Sequence, residues 1–220
     1  FAIEKYGSKV PVLMNVAEQT TKLACDAAKR AEDLGASGLM LLPPMRYTSD
    51  KIETVTFLKT VANSTRLPIV IYNNPADYKI EITIDMFKEL IECKNIEAVK
   101  ESTRDISNVT RMINTFGDRI KVLTGVDTLG MESLLMGADG WIAGLVCAFP
   151  KETVAIYRLI KAGKTKDALS IYRWFLPLLE LDVSTKLVQN IKLAGVATGI
   201  NTENVREPRL KLSGDERKRV

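Results

Sequence analysis

The chain has 220 residues, 31 basic and 27 acidic side chains for a formal net charge of +4, and no histidine. Without an imidazole, these residues cannot form a Ser-His-Asp triad, a Cys-His pair or a histidine-containing zinc site. The hydrophobic fraction of 46% is typical of a globular protein and excludes a mainly disordered chain.

The positive surplus lies mainly near the end of the sequence, within the last fifteen residues: Arg206, Arg209, Lys211, Arg217, Lys218 and Arg219. We interpret this segment as a solvated chain end in preference to a nucleic-acid-binding tail, because elsewhere basic and acidic residues alternate. The widely spaced Cys25, Cys93 and Cys147 favour reduced thiols. No apolar run reaches the roughly 18 residues of a membrane span, and no signal peptide is visible. The sequence therefore predicts a cytoplasmic protein without nucleic-acid or membrane partners.

Six short apolar runs recur along the chain, and a longer amphipathic segment follows each of them. The runs begin at Val10, Gly38, Pro68, Ile96, Lys121 and Gly140. Runs of this kind predict strands buried on both faces, and hence a parallel sheet covered by helices. Helices are predicted over residues 20–34 and 50–63, and from Thr83 onward. Because no G-x-G-x-x-G follows any run, a closed (β/α)8 barrel is favoured over an open doubly wound sheet.

After Pro150 the strand signals stop, and apolar residues at three- and four-residue spacing predict helices over 152–161, 165–181 and 185–198. We therefore expect residues 1–150 to form the barrel part and residues 151–220 to form helices packed on it, with a candidate oligomer surface. Residues 1–7 resemble the last turn of a helix, so we also expect sequence upstream of them.

A lysine lies near the end of the fourth predicted strand, where a parallel barrel presents its reacting groups. Ile96, Ala98, Lys100 and Ser102 share one face of that strand. Burial disfavours an ammonium ion, and the neutral amine of a desolvated lysine is the nucleophile that forms a Schiff base with a ketone. The alternative is a strand-end lysine whose head group reaches water.

A tyrosine ends the third predicted strand and is followed by a defined loop. Tyr72 comes directly before Asn73-Asn74-Pro75, a sequence that predicts a tight turn. The Tyr72 phenol, near Lys100 of the next strand, is a candidate proton shuttle, and Asn74 is a candidate substrate-binding residue. The alternative for Tyr72 is an aromatic ring in the core with its hydroxyl at the surface.

Further candidates follow the other strands. Gly125 closes the fifth run, and Asp127 is predicted to cap the next helix. Gly144 lies in the last run, where a glycine either lets backbone N–H groups approach an anion or simply forms a turn. Arg46, after the second run, either pairs with a substrate carboxylate or is solvated.

Four motifs occur in order along the chain. They are Tyr72-Asn73-x-Pro75, Val99-Lys100-Glu101-Ser102, Leu123-Thr-Gly-Val-Asp127 and Gly137-Ala-Asp-Gly-Trp-Ile142. Together they resemble the dihydrodipicolinate synthase / N-acetylneuraminate lyase family, and the likeness covers essentially the whole chain. The resemblance implies a class I Schiff-base (β/α)8 enzyme that acts on pyruvate or a related 2-oxo acid, without a metal or another cofactor.

The resemblance also implies roles for individual residues. Lys100 is similar to the Schiff-base lysine, Tyr72 to the proton-relaying tyrosine, and Gly125, Ala143 and Gly144 to residues lining the pocket. The family's Gly-x-Thr-Gly-Glu loop, which binds the oxo-acid carboxylate, has no counterpart here. It would belong to the second barrel strand, so the six runs are expected to be strands three to eight.

Two departures bear on the substrate. In dihydrodipicolinate synthases an arginine soon after the Tyr-Asn-x-Pro loop grips the second substrate's carboxylate, whereas Ala76-Asp77-Tyr78 stands here. Their usual Tyr-Tyr pair is replaced by Met45-Arg46. Both changes disfavour dihydrodipicolinate synthesis, and the motifs resemble most the branch that dehydrates and deaminates 1-pyrroline-4-hydroxy-2-carboxylate.

Two other interpretations stay open. The chain is either a dihydrodipicolinate synthase or another pyruvate aldolase, or it is a non-catalytic relative that binds a ligand on the same fold. In the enzyme interpretations the partners are a small 2-oxo or imino acid and further copies of the chain, in a dimer or a tetramer.

Overall fold

The structure is a computed structural model that describes residues 1–44 and 46–220. Six strands are hydrogen-bonded in chain order. They are β1 (Leu13–Val16), β2 (Gly38–Leu41), β3 (Ile69–Asn73), β4 (Ile96–Glu101), β5 (Lys121–Thr124) and β6 (Gly140–Trp141). The contacts between residues divide the chain into two compact units, residues 1–123 and 124–220. The predicted division at residue 150 therefore stays a proposal.

The first unit is a parallel sheet with helices between its strands. Each of β1, β2 and β3 pairs in parallel with the strand that follows it. Side chains on both faces of the strands are buried, among them Leu39, Ile69 and Val99 at 0% exposure. This two-sided burial explains why the strands read as continuous apolar runs.

The helices of the first unit are α1 (Ala2–Tyr6), α2 (Thr21–Asp33), α3 (Lys51–Ala62), α4 (Pro75–Tyr78), α5 (Ile84–Leu90) and α6 (Ser107–Phe116). The second to the fifth of them begin at polar caps. Asp50 and Glu53 form a reciprocal capping box at the start of α3, and the Thr83 hydroxyl accepts the N–H of Met86 at the start of α5. The predicted start at Thr83 is thereby confirmed.

The second unit contains the end of β5, β6 and five helices. These are α7 (Gly130–Leu135), α8 (Pro150–Lys161), α9 (Thr165–Leu179), α10 (Leu187–Ala197) and α11 (Gly214–Arg219). Ile156 of α8 and Phe175 of α9 are fully buried. The helical pattern after Pro150 is thus confirmed, with α9 ending two residues earlier than predicted, at Leu179, before a 3-10 turn over Glu180–Val183.

The strands are shorter than the runs that predict them, because backbone N–H groups at the run ends are absent or engaged elsewhere. Val12 N–H donates to the Ser37 hydroxyl at 3.1 Å, so β1 begins only at Leu13. Pro43 and Pro44 have no N–H to continue β2. Apolar periodicity locates a buried strand but not the residue at which its ladder stops.

A carboxylate near the end of α2 ties that helix to the segment before β3. Glu32 accepts the Thr65 hydroxyl at 2.6 Å, the Arg66 backbone N–H at 2.9 Å and the Arg66 Nε at 2.6 Å. The Thr65 hydrogen bond first, and then those from Arg66, lower the pKa of Glu32 to about 2. Ionised Glu32 therefore stabilises the fold above its ordinary pKa of 4.5, and this contribution is lost as the pH falls towards about 2.

We expect Glu32→Gln to lower the free energy of unfolding at neutral pH and to flatten its decline in acid. Urea unfolding of the full-length protein, repeated between about pH 7 and pH 2.5, measures both effects. Thr65→Val, which removes the largest cause of the pKa shift, should reproduce part of the flattening. If the free energies of unfolding of wild type and Glu32→Gln differed by the same amount at about pH 7 and at about pH 2.5, the assignment would be contradicted.

Candidate active site

The ends of β3 and β4 bring the two main candidate residues side by side. The parallel register pairs Tyr72 with Lys100 and, one residue on, Asn73 with Glu101. The Lys100 Nζ lies 4.1 Å from the centroid of the Tyr72 ring, and both side chains are half-buried. The aromatic face attracts the ammonium and holds the lysine head group beside the phenol. The proximity predicted from the sequence is present; a catalytic role for either residue stays a prediction.

The Tyr72 hydroxyl is oriented by the loop that follows β3. Asn74 Nδ2 donates to Tyr72 Oη at 3.2 Å and to Asp77 Oδ2 at 2.7 Å, and Asn74 itself is 6% exposed. The loop is held in place because Asn74 caps α4, with Pro75 at the first helical position. Since Oη accepts from Asn74, its own proton points away from that amide and towards other partners.

A second phenol stands beside the first. The rings of Tyr78 and Tyr72 make an edge-to-face contact with centroids 5.4 Å apart. Burial first, and then neighbouring Tyr72 and Asp77, raise the pKa of Tyr78 to about 12. Tyr78 therefore stays protonated at neutral pH. In the sequence, Tyr78 stands out only as part of a departure from the family pattern. It lies four residues after Asn74, which is about one helical turn, and this spacing is the signal that places it beside Tyr72.

Ser102, which follows β4, carries a buried hydroxyl without a partner in the described part of the chain. The residue is 3% exposed, and no hydrogen-bond partner is present for its Oγ. Its N–H donates to the Asn73 carbonyl at 2.9 Å, so the β3–β4 ladder continues through it. Alternation along the ladder then puts the Ser102 side chain on the same face as that of Lys100.

In the second unit, Asp127 organises the segment after β6. Its fully buried carboxylate accepts hydrogen bonds from Trp141 Nε1 at 3.1 Å and from the backbone N–H groups of Gly144 at 3.1 Å and Leu145 at 2.7 Å. The prediction that Asp127 caps its own helix is therefore wrong, because the carboxylate is directed to a loop 17 residues further along the chain. The Ile142 N–H still donates to the Thr124 carbonyl of β5 at 2.9 Å, and the chain turns away to Asp127 at Gly144 and Leu145.

The candidate pocket residues of the second unit follow its strands. Gly125 comes directly after β5, and Ala143 and Gly144 come after β6; all three are half-buried. A Cβ on Gly144 would lie within 1.9 Å of an oxygen of Asp182, so close packing requires a glycine there. Gly144 thus has a packing role, its N–H is already bonded to Asp127, and its place in a substrate pocket stays a prediction.

The remaining candidate of the first unit is Arg46, which follows β2. Arg46 is exposed in the turn after β2. Its neighbour in the departure from the family pattern, Met45, is outside the described residues. The structure does not bring Arg46 into contact with Tyr72 or Lys100 within the hydrogen bonds and ion pairs of the described chain.

Comparison with known proteins bears directly on this arrangement. The chain matches the dihydrodipicolinate synthetase family over residues 1–220. It belongs to this family. Dihydrodipicolinate synthetase family enzymes are lysine Schiff-base lyases, so the predicted family and enzyme class are confirmed.

Individual members of the dihydrodipicolinate synthetase family are moderately similar in sequence. The 4-hydroxy-tetrahydrodipicolinate synthase of Geotalea uraniireducens is 30% identical over 96% of the chain and 73% of its own length. An uncharacterised DapA-like lyase of Pyrobaculum arsenaticum is 31% identical over 80% of the chain and 59% of its own length. The crystal structure of dihydrodipicolinate synthase from Aquifex aeolicus superimposes with a TM-score of 0.92 at 26% identity, over 99% of the chain and 74% of that structure.

The fold prediction is thereby confirmed at the level of the dihydrodipicolinate synthetase family barrel. Six parallel strands of it are present in the described residues, fewer than the eight of a closed (β/α)8 barrel. Within residues 1–44 and 46–220 there is no cluster of three or more His, Cys, Asp or Glu side chains arranged to hold a metal ion. No helix in those residues is long and apolar enough to cross a membrane.

Proposed function

We propose that this chain is part of a Schiff-base lyase in which Lys100 forms an imine with a small 2-oxo or cyclic imino acid and Tyr72 transfers the protons. The observation that carries the proposal is the 4.1 Å approach of Lys100 Nζ to the Tyr72 ring at the carboxyl ends of two paired strands. The substrate that we propose is 1-pyrroline-4-hydroxy-2-carboxylate, which would be dehydrated and deaminated.

The chemistry begins at the carbon that carries the carboxylate. The neutral amine of Lys100 adds to C2, and the ring nitrogen leaves as the C2–N bond breaks, giving an open imine with a 4-hydroxyl and a terminal amine. The imine accepts the electron pair released when a proton leaves C3. Hydroxide is then eliminated from C4, and isomerisation turns the terminal amine into an imine. Water hydrolyses both imines, so one net water is consumed while ammonia and 2-oxoglutarate semialdehyde are released and Lys100 is restored.

Tyr72 is placed to move protons in these steps. Its hydroxyl accepts from Asn74, which leaves its own proton available for donation to another group. A phenol there protonates the departing ring nitrogen and the leaving hydroxyl, and takes protons back at hydrolysis. The unpartnered Ser102 hydroxyl on the same face supports a polar substrate, because a bound oxygen or nitrogen would satisfy it.

The loop after β3 supports this substrate over one with two carboxylates. The Asn74 amide joins Tyr72 Oη to the Asp77 carboxylate, so a negative charge stands near the phenol. A second substrate carboxylate would be repelled there, whereas the hydroxyl and ammonium of the ring-opened imine would be attracted. The position that carries an arginine in dihydrodipicolinate synthases thus has the opposite charge.

Two assays with the full-length protein test the proposal. In the first, borohydride is added in the presence of pyruvate or of 1-pyrroline-4-hydroxy-2-carboxylate, and the mass of the intact protein is measured to detect a reduced adduct. In the second, ammonia and 2-oxoglutarate semialdehyde are measured after incubation with the cyclic imine. An adduct together with ammonia release is expected. The absence of any adduct would overturn the Schiff-base proposal. An adduct without ammonia release would overturn the proposal that 1-pyrroline-4-hydroxy-2-carboxylate is the substrate.

A change of charge at Asp77 should alter substrate preference. We expect Asp77→Asn to lower kcat/KM for the cyclic imine by about fivefold, mainly through KM, because an attraction of about 1 kcal/mol to the substrate ammonium is lost. Asp85→Asn, on α5 and paired with Lys88, is the matched control and should have no effect. Equal kcat/KM for wild type and Asp77→Asn would contradict the role of Asp77.

A second candidate function is the condensation of pyruvate with aspartate semialdehyde. It is supported by the names of relatives, including the 30% identical 4-hydroxy-tetrahydrodipicolinate synthase of Geotalea uraniireducens. It predicts an adduct with pyruvate, no ammonia release from the cyclic imine, and consumption of aspartate semialdehyde. A non-catalytic ligand-binding relative would instead bind pyruvate in calorimetry and form no adduct.

The other expectations from the sequence also stand as proposals. A homo-oligomer is supported by Trp174 on α9, whose side chain is 65% exposed. A solvated chain end is supported by ion pairs of Arg217 with Glu203 and Lys218 with Asp215, which neutralise part of the basic segment. A cytoplasmic location is the usual one for this family.

A further inference from the structure

We propose that Glu101 is a positioning residue that holds Tyr72 and Lys100 at their working separation through a buried polar cluster with Asn73 and Asn108. This inference rests on the proposed function, in which Tyr72 and Lys100 act together. Glu101 is not part of the chemistry described above, and its side chain is on the opposite face of β4 from Lys100.

The Glu101 carboxylate is buried and surrounded by hydrogen-bond donors. It is 5% exposed, and Oε1 accepts the Thr103 backbone N–H at 2.7 Å. Oε2 accepts Asn108 Nδ2 at 2.8 Å and Asn73 Nδ2 at 3.4 Å. Burial raises the pKa of Glu101, whereas these donors act in the opposite direction. A buried carboxylate with three donors ties together β3, β4 and α6.

The geometry of the donors requires an acceptor at both carboxylate oxygens. Asn73 is fully buried, and its amide orientation is set by Ile82, to which it donates through Nδ2 at 3.0 Å and from which it accepts through Oδ1 at 2.9 Å. Asn73 Nδ2 therefore faces Glu101 Oε2 as a donor. The Thr103 group that faces Oε1 is a backbone N–H, which can only donate. A glutamine at 101 would turn its own N–H2 group towards one of these donors in either orientation.

The cluster lies where it controls the candidate active site. Asn73 and Glu101 are register partners, and each directly follows one member of the Tyr72–Lys100 pair. The Ser102 N–H donates to the Asn73 carbonyl at 2.9 Å, and β3 and β4 end at Asn73 and Glu101. The Asn73–Glu101 contact is thus a side-chain tie at the end of the ladder. A shift of about 1 Å between catalytic groups can reduce a rate by about 100-fold.

The test compares Glu101→Gln with wild type in the full-length protein. We expect the limiting rate of pyruvate adduct formation, trapped by borohydride, to fall by about tenfold or more, with a smaller change in the pyruvate concentration at half-maximal rate. Hydrogen exchange of the Ser102 amide, which needs no activity, is expected to speed up by about tenfold or more. If Glu101→Gln does not fold, Asn108→Ala, which removes one donor only, should show both effects in weaker form.

Asn95→Ala is the matched structural control. Asn95 precedes the other end of β4, and its Nδ2 contacts the carbonyls of Ala62, Thr65 and Leu67 at 2.9 to 3.2 Å. We expect this variant to lose thermal stability but to keep the limiting rate and the Ser102 exchange rate. A limiting rate within about twofold of wild type in Glu101→Gln, with unchanged Ser102 exchange, would overturn the inference. A wild-type protein that forms no adduct would overturn the proposed function instead, and Ser102 exchange would still decide the role of Glu101.

Discussion

Lys100→Arg is expected to abolish the adduct that borohydride traps between the full-length protein and pyruvate. The arginine keeps a cation over the Tyr72 ring, where Lys100 Nζ now lies 4.1 Å from the centroid, but its guanidinium stays protonated and cannot attack a carbonyl carbon. Turnover should fall by at least about 1,000-fold, as is usual when a covalent nucleophile is removed. The measurement is the mass of the intact protein after reduction, together with kcat on the cyclic imine.

The matched control for this experiment is Lys79→Arg. Lys79 follows α4 in the same loop as Asn74, and its Nζ donates to the Ala76 carbonyl at 2.7 Å. This variant should form the adduct at the wild-type rate. An adduct of undiminished yield in Lys100→Arg would mean that another amine reacts and would contradict the assignment of Lys100.

Tyr72→Phe is expected to slow turnover while leaving the lysine in place. The phenylalanine ring retains the face on which Lys100 rests, but the hydroxyl that accepts from Asn74 and carries the proton is lost. General acid–base catalysis by one side chain contributes about 100- to 10,000-fold, so kcat should fall within that range. Single-turnover kinetics would separate slow imine formation from slow elimination.

Tyr78→Phe is the comparison for Tyr72→Phe. Tyr78 contacts the Tyr72 ring edge-to-face, and its raised pKa of about 12 makes it a hydrogen-bond donor and not a base. Its loss should reduce kcat much less than the loss of the Tyr72 hydroxyl. A Tyr72→Phe variant with kcat within about twofold of wild type would rule out Tyr72 as the proton carrier.

Much of the fold could be predicted because it depends on local pattern. The apolar runs identified six strands in their order, and Asp50 and Thr83 marked helix starts that the structure confirms. The ends of the strands could not be predicted as well. Val12 and Gly144 lie in such runs, but their N–H groups donate to the side chains of Ser37 and Asp127, which come from distant parts of the chain.

For the candidate site, too, some features follow from the sequence and others only from the tertiary structure. The sequence by itself determined that Tyr72 and Lys100 end adjacent parallel strands, because alternation and strand order follow from residue type and spacing. Only the tertiary structure decided what surrounds them: Asn74 on the Tyr72 hydroxyl, the three donors on Glu101, and the unpartnered Ser102. The physical reason is that a hydrogen bond depends on distances and angles of a few tenths of an ångström between residues from different elements. Periodicity along the chain carries no information at that scale.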